Sequence, residues 1–302
     1  MKTAVITGAN GFLGSALANF LAAKGIQVIC LGRRPLTDYQ IASQSRSPFK
    51  YIEISMEEIA KLETLKPLKN TSSSGGNVFF RFAWQGDTRL TDGDLSQQLI
   101  NATYTSNAVK VAKKIGCDKF VNCGSQEESF VEEIISNKIS TIKLTQQNYA
   151  LAKLASRDLA ALTSYLEKID YVHTRVSAPI SQNLARNNFI ESNLRRIKIG
   201  EEPMITENDK LVDIVAVNDV SEAYYKIGIY GKNKSNYYIG TKTQMTLNNY
   251  FKFFKNFLNK EALTVEFQQS SFHSKIFNSI PLENDTGFVP SKNFLSSLKD
   301  FK

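Results

Sequence analysis

The sequence predicts an α/β protein, with a doubly wound parallel sheet and a smaller C-terminal α/β lobe. Short apolar runs alternate with segments of helical periodicity over roughly the first 230 residues, which is typical of parallel strands covered by helices on both faces. A glycine-rich turn follows the first apolar run directly. Beyond residue 230 the alternation ends, and aromatic residues recur at helical spacing instead.

The first three elements predict a βαβ unit. Residues 2–7 form a short apolar run that predicts a buried strand. After Gly14, apolar residues recur at helical spacing until Gly25, which is a helix-stop signal. Residues 27–31 form a second apolar run. Strand, helix and strand within about thirty residues is the length of one βαβ unit.

Later segments continue the alternation and complete the predicted sheet. Strands are predicted at 78–82, 120–123, 171–176 and 212–217, and helices at 101–114, at 147–168 and from the last strand through Tyr225. In the C-terminal lobe, Thr246 is expected to cap a helix, and residues 263–267 alternate like a strand. The apolar face of that helix consists of Leu247, Tyr250, Phe251, Phe254, Phe257 and Leu258.

Composition argues against several classes of function. The 302 residues, 42% of them hydrophobic, are enough for a large buried core. The net charge is +8, but lysines and arginines are scattered, so we expect a small anionic ligand and no nucleic-acid partner. No stretch reaches 18 consecutive apolar residues, so no membrane span is predicted.

Cysteine and histidine usage predicts neither a metal site nor a disulfide framework. The cysteines are Cys30, Cys117 and Cys123, and no two of them have the Cys-x-x-Cys spacing. His173 and His273 are the only histidines, and we expect both to be structural residues. Unpaired cysteines favour a reducing, cytoplasmic compartment.

The glycine turn predicts a dinucleotide-binding site. Gly8 is expected to make the tight turn, Gly11 to let the backbone approach a pyrophosphate, and Gly14 to let helix and strand pack closely. The phosphates would then lie at the positive end of the helix dipole. The residues expected to contact the cofactor here are Gly8, Asn10, Gly11, Phe12, Leu13 and Gly14.

The end of the second predicted strand indicates which dinucleotide is bound. An acidic residue there would bind the ribose 2′-hydroxyl of NAD. This chain has Arg33 and Arg34 instead, about twenty residues after the turn. Arginine pairs with a 2′-phosphate, and no carboxylate stands there to repel it. The sequence therefore predicts NADP(H), with NAD as the less favoured cofactor.

Tyr149 and Lys153 are candidates for a proton-transfer pair. They are four residues apart on a predicted helix and therefore share a face. A neighbouring ammonium favours the phenolate form of a tyrosine, whose ordinary pKa is about 10. Ser125, at the end of a predicted strand, is expected to bind the same substrate oxygen. The opposite stripe, expected to face the core, is Leu151, Ala155, Leu159, Leu162 and Leu166.

Together these positions resemble the extended short-chain dehydrogenase/reductase family of nucleotide-sugar epimerases, dehydratases and reductases. The resemblance runs almost the whole length of the chain and implies a Rossmann domain with a C-terminal substrate lobe. It implies that Ala83 and Trp84 line the cofactor. Further matching segments are Phe82-Ala83-Trp84, Asn101-Ala102-Thr103-Tyr104-Thr105, 212–220, Tyr238-Ile239-Gly240 and Thr286-Gly287-Phe288-Val289-Pro290.

The resemblance also implies a domain division and an assembly. Residues 1–176 with 211–235 would form the NADP-binding domain, and residues 177–210 with 236–302 the substrate lobe. A nucleotide-diphosphate sugar would lie between the two. Relatives often dimerise through a four-helix bundle that includes the tyrosine helix, so a homodimer is expected.

Two segments resemble a subgroup of 4-keto-deoxysugar reductases and epimerases of surface-polysaccharide pathways. They are 82–86 and Gly124-Ser125-Gln126 with Glu128. The related 4,6-dehydratases carry Thr-Asp-Glu where this chain has Ser125-Gln126-Glu127. Because an amide cannot donate a proton as a carboxylic acid can, Gln126 argues against water elimination.

The chain also departs from the family pattern. Arg81 stands where a histidine is common, Ser129-Phe130 replaces Tyr-Gly, and Val212 stands where many members have an arginine against the substrate diphosphate. Gln126, Glu127 and Asn188 are the expected substrate contacts. The candidates for the missing diphosphate ligand remain open and are Arg175, Arg186, Arg195 and Arg196.

The sequence leads to one principal hypothesis and two alternatives. The principal one is NADPH-dependent reduction of a nucleotide-linked 4-keto-6-deoxysugar. The close alternative is a nucleotide-sugar 4-epimerase that uses tightly held NAD. The alternative of another class is a non-catalytic NADP-sensing protein on the same fold, which the Tyr149–Lys153 pair disfavours.

Overall fold

The predicted parallel sheet is present and contains seven strands. The computed structural model describes residues 1–34, 49–64, 76–86, 94–136, 146–207, 211–259 and 276–291. The strands of the sheet are β1 Thr3–Thr7, β2 Gln27–Gly32, β3 Phe49–Glu53, β4 Asn77–Arg81, β5 Lys119–Ser125, β6 Asp170–Val176 and β9 Ser235–Ile239. They lie in the order β3-β2-β1-β4-β5-β6-β9, and every neighbouring pair is parallel.

Helices cover both faces of this sheet, as the alternating pattern predicts. The helices are α1 Phe12–Ala23, 3-10 helix Ile59–Thr64, α2 Leu95–Lys114, α3 Glu127–Ile135, α4 Gln147–Glu167, α5 Phe189–Lys198, α6 Val217–Tyr230, α7 Leu247–Leu258 and α8 Ile280–Thr286. One face of the sheet carries α1 and α6, whose apolar side chains pack on β1 and β4 around Ile6, Phe80 and Tyr224. The other face is covered by α2 and the 3-10 helix, around Phe79 and Phe120.

The strand order reverses direction between β1 and β4, which pair with each other. In doubly wound sheets the loops at the carboxyl ends of two such strands diverge and leave a crevice for a ligand. The glycine turn leaves β1 at this point, and residues 82–86 leave β4. The fold therefore brings these two predicted cofactor segments together.

A second, three-stranded sheet consists of β7 Ala178–Ile180, β8 Leu211–Ala216 and β10 Gln244–Thr246, in the order β10-β8-β7. The strand predicted at 212–217 as part of the parallel sheet is β8 of this second sheet, and β9 pairs with β6 at the edge of the parallel sheet instead. It packs with α5 and α7 around Leu194, Ile214 and Phe251. The Thr246 side chain accepts a hydrogen bond from the Asn249 backbone N–H, so the predicted N-cap is confirmed. The predicted strand at 263–267 lies outside the described residues, and the predicted domain division stays a prediction.

Several elements were not predicted from the sequence, and most of them are short. Strand β3 alternates weakly, and β7 and β10 have three residues each. Helix α2 begins six residues before its predicted start, because Asp94 caps it by accepting a hydrogen bond from the Ser96 N–H at 2.7 Å. Strand β9, the 3-10 helix and the helices α3, α5 and α8 were also not predicted. Within the described ranges, no helix is both long and apolar enough to cross a membrane.

The expected orientation of the tyrosine helix α4 is wrong. Its leucine stripe is exposed: Leu162 and Leu166 retain 57% and 67% of their accessible surface. The buried face carries mostly small and polar residues, and these allow α4 to pack closely on α2. Hydrogen bonds of 2.8 Å join Thr105 to Ser156 and Ser106 to Thr163 across this contact. Lys153 therefore lies on the inner face of the helix and is 3% exposed.

Candidate active site

A groove of about 520 Å³ opens at the carboxyl ends of β1, β2, β4 and β5. Each of the predicted cofactor segments contributes to its walls. The predicted residues that line it are Gly8, Asn10, Gly11, Phe12, Leu13, Gly14, Arg33, Arg34, Ala83, Trp84, Tyr149 and Lys153. Of the described residues that line the groove, none is acidic. The groove therefore suits an anionic ligand.

The glycine turn is shaped for close backbone approach. Gly8 has a positive φ of 68°, and a Cβ there would lie 2.8 Å from the Ala83 nitrogen. A Cβ on Gly14 would lie 2.3 Å from the Gly8 carbonyl oxygen, so only glycine allows α1 to start this close to the turn. No side chain caps α1, and its first turn holds no acidic residue. These features fit a dinucleotide whose diphosphate lies at the helix N-terminus.

The two arginines at the end of β2 are exposed at one end of the groove. The Arg34 backbone is held by Tyr51, which lies on β3, a strand that was not predicted from the sequence. The Tyr51 hydroxyl donates to the Arg34 carbonyl oxygen, and Asn10 Nδ2 donates to the same oxygen at 3.1 Å and to Tyr51 Oη at 2.9 Å. The position of Arg34 therefore depends on the glycine turn and on β3.

Tyr149 and Lys153 meet at the centre of the groove, against Trp84. The Lys153 Nζ donates a 2.8 Å hydrogen bond to the Cys123 carbonyl oxygen and lies 4.0 Å from the centroid of the Trp84 ring. The ring of Tyr149 lies edge-on to Trp84, with 5.5 Å between centroids. This arrangement brings together the predicted proton-transfer pair and the predicted cofactor-lining tryptophan.

Ser125 serves two partners. Its Oγ accepts a 3.3 Å hydrogen bond from the Glu127 backbone N–H at the start of α3. The same side chain forms a hydrogen bond with Tyr149 that stabilises the phenolate and lowers the tyrosine's pKa. Because the backbone contact uses an acceptor site of the hydroxyl, the Ser125 proton can be donated to the Tyr149 oxygen, which places Ser125 beside the candidate proton donor.

Burial shifts the pKa values of both Tyr149 and Lys153. Burial raises the pKa of Tyr149 well above its ordinary value, and this outweighs the hydrogen bond from Ser125. Burial also lowers the pKa of Lys153 to about 8. Burial thus favours the protonated phenol at Tyr149, opposite to the shift toward phenolate that the sequence predicts from a neighbouring ammonium.

The segment that carries Trp84 is anchored to α2. The indole Nε1 donates a 2.7 Å hydrogen bond to Gln98 Oε1. Asn101, fully buried, accepts from the Gln85 N–H at 2.7 Å and donates to the Gln85 carbonyl at 2.8 Å. Asn101 belongs to a segment that resembles the family, but this anchoring role was not predicted from the sequence. Polar residues on the buried face of α2 are the feature from which it could have been predicted.

A buried polar network supports Ser125 from behind. Glu128 is fully buried, and its Oε1 accepts the Ser125 backbone N–H at 2.8 Å. Its Oε2 lies 2.8 Å from His173 Nε2 and 3.5 Å from Arg175 Nε. Burial would raise the pKa of Glu128, but His173 and Arg175 hold it below its ordinary value. The expectation that His173 is structural agrees with this position behind the groove.

The predicted substrate contacts are distributed unevenly. Gln126 and Glu127 follow Ser125 directly and are buried at the start of α3. Asn188 lies in the second lobe, where its side-chain oxygen accepts the Glu191 N–H at 2.8 Å and caps α5. Their roles toward a substrate remain predictions. Among the described residues, no cluster of three or more histidine, cysteine or acidic side chains is placed to hold a metal ion.

Comparison with known proteins agrees with this architecture. The model of the NAD dependent epimerase/dehydratase family matches residues 4–240. A UDP-glucose 4-epimerase structure from Thermotoga maritima, determined with UDP-glucose, shares 16% identity with this chain, with a TM-score of 0.72 over 99% of this chain and 98% of that one. Among curated proteins, none matches the chain.

Two further solved structures are similar. The dTDP-glucose 4,6-dehydratase DesIV from Streptomyces venezuelae, determined with NAD bound, is 15% identical, with a TM-score of 0.74 over 99% of this chain and 95% of that one. MoeE5 in complex with UDP-glucose and NAD is 18% identical, with a TM-score of 0.71 over 98% and 96%. At these identities the likeness establishes the fold, a Rossmann-like sheet flanked by helices.

Proposed function

The chain belongs to the NAD-dependent epimerase/dehydratase family, enzymes of the extended short-chain dehydrogenase/reductase type, and we propose that it is an NADPH-dependent reductase of a nucleotide-linked 4-keto-6-deoxysugar. One observation carries the proposal: the groove joins Tyr149, Lys153 and the two arginines Arg33 and Arg34 on one surface. A proton donor and a cation pair suited to a 2′-phosphate are thus available to one bound dinucleotide.

The mechanism assigns each residue a separate task. Bound NADPH would supply the hydride for the carbonyl carbon of the sugar. Tyr149 donates its proton to the carbonyl oxygen, and Ser125 orients that oxygen through its hydroxyl. Lys153 would bind the nicotinamide ribose and, as an ammonium, stabilise the phenolate that Tyr149 leaves behind. The raised pKa of Tyr149 suits this direction, because the phenol begins protonated.

The proposed substrate is a nucleotide-diphosphate sugar held between the groove and the second lobe. Two of the similar structures contain UDP-glucose. Gln126 in place of an acid disfavours the dehydratase reaction, which leaves reduction or epimerisation at the 4-position. The proposed setting is cytoplasmic deoxysugar biosynthesis for a surface polysaccharide, which three buried free cysteines support.

The second candidate is a nucleotide-sugar 4-epimerase with NAD. Its support is the family match together with similar structures named as epimerases. An epimerase returns the hydride to its own substrate and must retain its cofactor, whereas a reductase exchanges it in every turnover. Absorbance of the purified protein separates the two. Tightly retained NAD would favour the epimerase, and a nucleotide-free protein that reduces a 4-keto-6-deoxysugar with NADPH supports the reductase.

Cofactor selectivity tests the proposal directly. We expect the protein to bind NADPH more tightly than NADH, and the double variant Arg33→Gln, Arg34→Gln to weaken NADPH binding by roughly 10–100-fold, the value of lost charge-assisted hydrogen bonds. NADH binding should change little. Fluorescence titration of both nucleotides measures this. Lys50→Gln, an exposed lysine on β3 that is not part of the groove wall, is the control; tighter binding of NADH by the parent would overturn the NADPH assignment.

We also propose that the protein is a homodimer that pairs through α2 and α4. The exposed leucines of α4 are spaced by three, four and eight residues along one face, and Leu95 and Leu99 are exposed on the adjoining α2. A two-fold axis would place this self-complementary apolar stripe against its own copy. The stripe on α4 consists of Leu151, Leu159, Leu162 and Leu166.

Sedimentation of a single charged variant tests the dimer. Leu162→Glu would bury a carboxylate in the proposed interface, so we expect it to sediment as a monomer while the parent sediments as a dimer. Ile199→Glu is the matched control, because Ile199 is 72% exposed in the other lobe. A dimer that survives Leu162→Glu, or a parent that is monomeric, would disprove this arrangement.

A further inference from the structure

One arginine of the second lobe reaches over the glycine turn. Arg186 lies in the loop between β7 and α5 and lines the groove. Its guanidinium carbon lies 4.1 Å from the centroid of the Phe12 ring, the first residue of α1. Its Nη1 donates a 3.1 Å hydrogen bond to the Pro179 carbonyl oxygen. The side chain therefore connects the two lobes at the N-terminus of α1, which no side chain caps.

The loop that carries Arg186 is held in shape from within. Glu191 is fully buried and accepts the Arg186 backbone N–H at 2.9 Å. It also accepts the Ser181 N–H at 2.9 Å and the Ser181 hydroxyl at 2.6 Å. With Asn188 capping α5 close by, hydrogen bonds within the protein hold the backbone at residue 186. A preorganised cation loses less conformational entropy when it binds an anion.

The other candidate arginines are occupied elsewhere. Arg175 pairs with Glu132 and Glu128 behind the groove. Arg195 donates to the carbonyl oxygens of Leu184 and Arg186, and Arg196 pairs with Glu201 at 3.1 Å on the surface. None of these three is part of the groove wall, whereas Arg186 is.

Arg186 is a cation without a close countercharge in the part of the chain that the structure describes. No described carboxylate comes within ion-pair distance, and Glu191 acts on it only as a longer-range charge. Burial lowers its pKa, so the half-buried charge gains from an anion. A guanidinium stacked on an aromatic ring keeps its in-plane N–H groups available, and of its five donors the described contact uses one.

We propose that Arg186 is a diphosphate ligand that the second lobe contributes to the groove, stacked on Phe12 so that its free edge meets the phosphates. The inference rests on the proposed function in one respect, the binding of a dinucleotide or nucleotide sugar in this groove. The diphosphate of the cofactor and that of the sugar nucleotide share this chemistry. Binding of either would hold the second lobe against the glycine turn through Arg186.

Calorimetric titration with four probes tests the inference. The probes are NADPH, 2′-phospho-ADP-ribose, UDP and adenosine 2′-monophosphate, which lacks a diphosphate. We expect Arg186→Gln to bind the diphosphate probe or probes about 10-fold or more weakly and adenosine 2′-monophosphate as the parent does. Arg186→Lys should recover part of the loss, because a point charge remains without the paired donors. Arg196→Gln is the control and should match the parent.

The probes also identify the source of the diphosphate. A loss with NADPH and 2′-phospho-ADP-ribose assigns Arg186 to the cofactor, and a loss with UDP alone assigns it to the sugar nucleotide. Unchanged binding of every probe overturns the inference while leaving the proposed function intact. A parent that prefers NADH but still loses affinity on Arg186→Gln would overturn the NADPH assignment and keep the inference. A parent that binds no diphosphate probe overturns both.

Discussion

Replacing Tyr149 with phenylalanine should lower turnover by about 10²–10⁴-fold, the usual contribution of a positioned general acid. The ring would still pack edge-on against Trp84, so the groove keeps its shape. NADPH should therefore bind with unchanged affinity. Steady-state rates with a nucleotide 4-keto-6-deoxysugar and NADPH, together with a binding titration, measure the two quantities separately.

Tyr165→Phe is the matched control, because Tyr165 lies on the same helix but is 70% exposed. It should have the parent's rate. Turnover by Tyr149→Phe within a few-fold of the parent would remove Tyr149 from the mechanism. A loss of NADPH affinity equal to the loss of rate would assign Tyr149 to cofactor binding, not to proton transfer.

Replacing Glu128 with alanine should destabilise the fold by about 3–5 kcal/mol, the range for breaking a buried ion pair. The change leaves His173 and the Ser125 backbone N–H without their shared acceptor, and it removes the negative charge 3.5 Å from Arg175 Nε. Gly124 belongs to the same site, since a Cβ there would lie 2.3 Å from Glu128 Oε1. Urea unfolding at pH 7 gives the free energy of unfolding. Glu133→Ala, on the same helix, should cost less than about 1 kcal/mol.

The contribution of Glu128 also has a defined pH dependence. Because the folded-state pKa is lowered, its stabilising effect is present above the unfolded-state value of about 4.3. It is lost as the pH falls through the folded-state pKa. The difference in unfolding free energy between the parent and Glu128→Ala should therefore shrink on acidification. A difference that is small at pH 7, or constant down to pH 3, would mean that the carboxylate does not stabilise the network.

Local patterns were sufficient for five of the seven strands of the parallel sheet, β1, β2, β4, β5 and β6, and for the long helices between them. Buried parallel strands are continuous apolar runs, and the glycine turn is recognisable because it directly follows one such run and opens a helix. Strand β3 escaped this reasoning because it lies at the edge of the sheet with an irregular burial pattern. Tyr51 was missed with it, although its hydroxyl holds the backbone of Arg34.

The leucines of α4 show where periodicity alone misleads. The leucines form a clear apolar stripe, and that stripe predicts an inward orientation which the structure does not have. In this protein the inner face is made of small and polar residues that allow α2 to approach closely, and it carries Lys153. The leucines are exposed on the outer face, where they contact solvent or, in the proposed dimer, a second copy of the chain.

The sequence by itself determined the fold class, the dinucleotide-type turn and the pairing of Tyr149 with Lys153, because each depends on residues within one turn or one βαβ unit. Only the tertiary structure decided which arginine of the second lobe reaches the groove, since four candidates had equal standing until β7 and α5 were placed. It also decided the direction in which the pKa of Tyr149 is shifted. The pKa of a side chain depends on burial, and burial is produced by chain segments far apart in sequence.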